Sequence, residues 1–172
     1  MNHKITFIIA FFILSTLKAQ TTFDWEASTA PTTDNGNNVT QTIDGITTTF
    51  TGTENPGVVA GPGGGFVLTS SESNTTTSSV TFSFSEAVDV TSISTLSGPT
   101  ITYTFSPTGG SNSQVVEPVG GGEETVNLNW TGVTSFAVTG STNFIVGFND
   151  LIVSSSTLST NNFNQEIIPI IF

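Results

Sequence analysis

Val39-Thr40-Gln41-Thr42-Ile43, then Asp44-Gly45, then Ile46-Thr47-Thr48-Thr49-Phe50 is the stretch that decides the fold. Two short β-branched runs flank a dipeptide that tolerates positive φ at both central positions of a type I′ turn, whose twist matches that of paired strands. The stretch reads as a β-hairpin.

Working outward, the same period of two recurs. Val80, Phe82 and Phe84 alternate with Thr81, Ser83 and Ser85, and Ile101, Tyr103 and Phe105 alternate with Thr102 and Thr104. Val126, Leu128 and Trp130 alternate with Asn127, Asn129 and Thr131, and Phe136 and Val138 repeat the pattern before a turn expected at Gly140-Ser141. Each of these reads as a strand with one buried face. The run from Asn143 to Val153 is apolar on both faces, which predicts a central strand covered on both sides. With Phe23–Glu26, Phe66–Ser70 and the runs around Val90 and Val115, the total is about ten strands, a number suited to two packed sheets. The expected fold is all-β, a two-sheet antiparallel β-sandwich of the jelly-roll kind. Gly61–Gly65 and Gly120–Gly122 lack the lysine and the strand-to-helix setting of a phosphate loop and read as β connections.

Charge narrows the chemistry further. The chain has 172 residues, 9% of them charged, and a formal net charge of −11. Its only basic side chains are His3, Lys4 and Lys18, whereas all 13 Asp and Glu residues follow Ala19. Phosphate backbones are held through Lys and Arg, so nucleic-acid binding is excluded, as is docking on an anionic membrane surface. Without Cys, and without His or Lys beyond residue 18, the body of the chain has no Ser-His or Cys-His nucleophile, His-ligated zinc or Schiff-base lysine. Catalysis would fall to a carboxylate pair with one tyrosine, Tyr103, to help orient a substrate, so the chain reads as non-catalytic.

The N-terminus reads as a signal peptide over residues 1–19. His3 and Lys4 precede the apolar run Ile5–Leu14, and small Ala19 precedes Gln20. At about 13 residues through Leu17 the run is short of the ~20 that a membrane span needs. The expectation is a secreted or cell-surface protein, periplasmic if no sorting signal follows, with no stable membrane insertion after cleavage. Residues 20–154 form the expected sandwich domain and residues 155–172 a polar linker leading into the apolar Ile167–Phe172.

Phe82–Val88 with Val90–Ile93, Thr104–Pro107, Val126–Trp130 and Phe148–Ile152 together resemble secreted bacterial jelly-roll domains of the carbohydrate-binding-module kind, over roughly Thr21 to Ser154. The tail from Ser159 to Phe172 resembles the linker and first strand of a type IX secretion sorting domain, cut short before that family's Pro-Asn-Pro motif. In the sandwich modules, carboxylates of the first strand and an Asp of the last often share a structural calcium; the matching positions are Asp24, Glu26 and Asp150. The residues themselves suit this, because hard oxygen ligands favour calcium and the body of the chain has no cationic side chain of its own. Asp24 and Glu26 are expected on one face of the first strand, opposite Phe23 and Trp25. Two readings stay open: a shared Ca2+, or three solvated edge carboxylates. Glu123-Glu124 with Glu117 reads as a solvated loop.

Sugar binding would use exposed aromatic rings. The phase of Trp130 and Tyr103 places them in the core, which leaves Trp25 as the candidate ligand-binding ring. The function expected is a non-catalytic adhesion or carbohydrate-binding module with a polysaccharide or cell-surface partner. The alternative is a structural or protein-interaction domain with no small-molecule ligand.

Overall fold

The computed structural model describes residues 19–61 and 66–156. The expected signal peptide, all but one residue of which precedes residue 19, the glycine run at 62–65 and the tail from residue 157 onward lie outside the described residues. The described residues form eleven strands and no helix: β1 (Thr21–Phe23), β2 (Thr32–Asp34), β3 (Asn38–Ile43), β4 (Ile46–Thr51), β5 (Gly57–Ala60), β6 (Phe66–Thr69), β7 (Thr77–Ser97), β8 (Ile101–Thr108), β9 (Val115–Val119), β10 (Gly122–Phe144) and β11 (Gly147–Ser155). Every pairing is antiparallel.

The Asp44-Gly45 turn is as expected. Both residues have positive φ, 52° and 83°, and Ile43 pairs with Ile46 across them. This mirror-image turn geometry lets β3 and β4 leave a two-residue loop with the twist of a sheet.

Two long strands organise the rest. One path runs β2-β3-β4-β7-β10-β8-β9, and a second set of pairings joins β7 to β11, β11 to β6 and β1, and β6 to β5. The first half of β7 pairs with β4 and with the second half of β10, whereas its second half pairs with β11 and with the first half of β10. Between them, at Phe84–Ala87, the register with β10 shifts. There both strands pass from one layer to the other, the usual use of a bulge at a sandwich corner. The corner is held by side chains: Asp89 Oδ1 accepts from Gly132 N at 3.0 Å, and Asn112 Oδ1 accepts from Thr131 N at 2.9 Å.

Ring contacts confirm that the two halves face each other. Phe82 on β7 stacks on Phe136 at 4.7 Å, and meets Phe50 at 4.9 Å and Phe148 of β11 edge-on at 5.2 Å. Phe50 and Phe148 belong to strands that share no ladder, yet their centroids are 5.7 Å apart. They meet across a core, and each such pair adds roughly 0.5–1.5 kcal/mol beyond area burial. Tyr103 and Trp130 are buried as their phase predicts. Tyr103 donates its hydroxyl to Ser97, and Trp130 donates Nε1 to the Ser113 carbonyl at 2.8 Å.

Several expectations need correction. The first strand stops at Phe23 and does not reach Glu26. The runs around Val80 and Val90 are one strand, as are those around Val126 and Phe136. The stretch Asn143–Val153 is broken at Ile145-Val146, and at Gly140-Ser141 the strand runs on, but its ladder with β7 is irregular between Thr139 and Phe144. The segment after that break, β11, is nevertheless central, with β7 on one side and β6 and β1 end to end on the other.

Candidate functional site

The site begins with an irregularity in β11. Gly147 and Phe148 pair with β6, Leu151 to Val153 pair with β1, and Asn149 and Asp150 fall in the gap between those neighbours. Opposite β7 the register also slips between Asn149 and Ile152, which marks a bulge. Asp150 has φ 41°, in the left-handed region that Asp and Asn enter more readily than other side chains.

The β1 ladder pairs Phe23 with Leu151, and one further step puts Asp24 level with Asp150. The chain then turns at Trp25, whose φ of 59° breaks the strand alternation. Asp24 therefore works as a turn residue: its Oδ1 accepts from Glu26 N at 3.0 Å, and its Oδ2 accepts from the Thr29 hydroxyl. Glu26 accepts from Ser28 Oγ at 3.1 Å, and its carbonyl accepts from Thr29 N and Ala30 N.

The three carboxylates nevertheless share one electrostatic neighbourhood. Desolvation, followed by the charges of Asp24 and Glu26, pushes the Asp150 carboxyl above the ordinary range. Beside it in the chain, Asn149 Oδ1 is buried without a hydrogen-bond partner. Sequence reasoning missed Asn149, because nothing in Phe148-Asn149-Asp150 shows that a bulge will bury an amide oxygen. An oxygen-only donor set with an unsatisfied acceptor fits a hard cation. Among the described residues, no three Asp, Glu, His or Cys side chains already stand as a metal centre, so an ion would have to draw these oxygens together.

Trp25 is only 1% exposed and packs on Phe23 at 5.8 Å and Phe82 at 6.4 Å. Its ring therefore presents no open stacking face. It does line a pocket of about 240 Å3 with Ala27, Thr32 and Val58. Its backbone N–H donates to buried Gln41, whereas its indole Nε1 is buried without a partner. Glu117, Glu123 and Glu124 are exposed, and Glu124 accepts from Gly120 N at 3.2 Å in the β9–β10 turn.

Compared with known proteins, the chain matches no family model and no curated sequence. No helix among the described residues is long and apolar enough to cross a membrane.

Proposed function

We propose that this chain is a secreted or cell-surface, non-catalytic β-sandwich module for adhesion or carbohydrate binding. In this reading Asp24, Glu26 and Asp150 share a calcium ion that ties the first strand to the last. What supports it is the register that brings Asp24 level with Asp150 at the bulge of β11, beside the buried and unpartnered Asn149 Oδ1, with burial and then the charges of Asp24 and Glu26 raising the Asp150 pKa. Their repulsion opposes folding until a cation relieves it. The bound ion would supply charge compensation and cross-linking, and the protein would supply carboxylates with Asn149 as a further oxygen.

The test is a thermal melt after chelation, repeated with calcium and with magnesium at equal ionic strength. At ~100 times its Kd, calcium is expected to raise the Tm by about 5–10 °C. Equal shifts from the two ions would leave only general screening and discard the site.

The second reading, a structural or protein-interaction domain without a small-molecule ligand, is favoured by the burial of the aromatic rings. Trp25, Tyr103 and Trp130 are all in the core, and the large hydrophobic found exposed among the described residues is Val116, at 56%. Affinity electrophoresis in gels carrying soluble polysaccharides separates the two. Retardation supports the carbohydrate reading, and uniform migration supports the interaction reading.

A further inference from the structure

We infer that the outer edge of β5 docks an extended, basic-flanked segment of a partner protein, which adds a strand there and seats one apolar side chain in the pocket beside Trp25. Among the described residues β5 pairs with β6 alone, so its other flank offers a row of backbone donors and acceptors. Of the other terminal strands, β1 is only the three residues Thr21–Phe23 and runs straight into Asp24, and the remaining two are guarded by their own residues. β2 carries Asp34 and follows Pro31, and β9 carries exposed Glu117 and Pro118. Charges and prolines of this kind discourage strand addition. β5 reads Gly57-Val58-Val59-Ala60 and has neither.

The pocket lies where an added strand would need it. Thr32 of β2 and Val58 of β5 both line it, so it opens between terminal strands of the two layers. Val58 pairs with Leu68, which is fully buried, and therefore lies on the core-facing side. A partner residue paired to Val58 from outside would point to that same side and close over the Trp25 ring.

Charge selects the occupant. Glu54 lies just before β5, and the Glu72 carboxylate sits against Gly57 while accepting from Asn55 Nδ2 at 3.3 Å. No Lys, Arg or His occurs from residue 19 to 172, so a second copy would bring only more negative charge to this edge. A segment with Lys or Arg on either side of its apolar residues is the complement.

Strand addition at β5 does not require the calcium clamp, and peptide affinity is read independently of calcium-dependent melting, so either can fail alone. The full chain is titrated, by fluorescence anisotropy, into a labelled peptide of alternating Thr and Val with paired lysines at both ends, and into a twin ending in glutamates. The lysine-ended peptide is expected to bind at least ~10-fold more tightly, and its affinity to fall by a similar factor in Ala60→Lys, which places a guard on an exposed edge position. Ala27→Leu, which narrows the pocket, should weaken it as well, with both variants melting as the parent does. Equal affinity for the twin, no binding of either peptide, or indifference to Ala60→Lys would overturn the proposal. A dimer in sedimentation that Ala60→Lys dissolves would assign the edge to a second copy and overturn it too.

Discussion

At Asp150 a left-handed backbone, burial and like charge meet in one residue. Its φ of 41° favours Asp or Asn, so Asp150→Asn isolates the charge, whereas Asp150→Ala would add backbone strain of about 1 kcal/mol. Burial, and then the charges of Asp24 and Glu26, raise its pKa in the folded state. A raised carboxylate pKa means that the folded protein holds the proton more tightly than the unfolded chain. Stability from this group is therefore present in full below the unfolded value near ~3.9, and is lost as pH rises through the folded pKa. Without divalent ions, lowering the pH from 7 toward 4 is expected to raise the urea midpoint, and to raise it less in Asp150→Asn. At pH 7 under chelation, Asp150→Asn should melt no lower than the parent and should lose the calcium shift. A variant that keeps the shift would remove Asp150 from the site. What made Asp24, Glu26 and Asp150 visible as candidates in the sequence was the resemblance to jelly-roll modules, together with the lack of any cationic side chain after residue 18. The left-handed turn at Trp25 was not visible, because that backbone is rare for a bulky residue and the alternation of Phe23 and Trp25 points to a longer strand.

At the scale of elements, the strands that sequence shows best are those with one apolar face, and those it misses lack one. Ile101–Phe105 alternates cleanly and is found as β8, but β2 is Thr32-Thr33-Asp34 and β5 is four small residues at a sheet margin. The break at Ile145-Val146 is hidden because apolar residues run straight through it. The joining of the Val80 and Val90 runs is hidden because the intervening Ser85-Glu86 looks like a loop, yet forms the corner of one ladder. That corner yields a prediction. Gly132 is buried with φ 65° and donates to Asp89 Oδ1, so Asp89→Ala should cost roughly 1–3 kcal/mol by orphaning a buried N–H. Phe82→Ala should cost about 3–5 kcal/mol, near the upper end, because four rings lose a partner. At Gly45 an added Cβ would meet nothing within 4 Å, so Gly45→Ala tests the turn's positive φ alone, at about 1 kcal/mol. Urea denaturation ranks these three, and a Phe82→Ala cost below that of Gly45→Ala would contradict the central place of the ring cluster.

For the molecule as a whole the governing fact is that side-chain charge from residue 19 to 172 is of one sign, and composition alone makes it legible. From residue 19 to 172 no basic side chain exists, so Asp24, Asp34 and Glu86 accept from backbone N–H groups and hydroxyls, and Glu72 from the Asn55 amide, in place of side-chain ion pairs. Acidification therefore breaks no side-chain salt bridge in this sandwich, and like-charge repulsion is the electrostatic term left to relieve. Sodium chloride screens that repulsion, with a Debye length that shrinks from roughly 30 Å at 0.01 M to about 8 Å at 0.15 M. The Tm is expected to climb over that range and then flatten, because by then only the closest carboxylates still sense one another. With Asp24, Glu26 and Asp150 as the proposed ligands, calcium added on the flat part of the salt curve should still raise the Tm where magnesium does not. A Tm indifferent to sodium chloride would show that the surface acids are too far apart to oppose folding. A calcium effect confined to the steep part would reduce the ion from a clamp to a counterion.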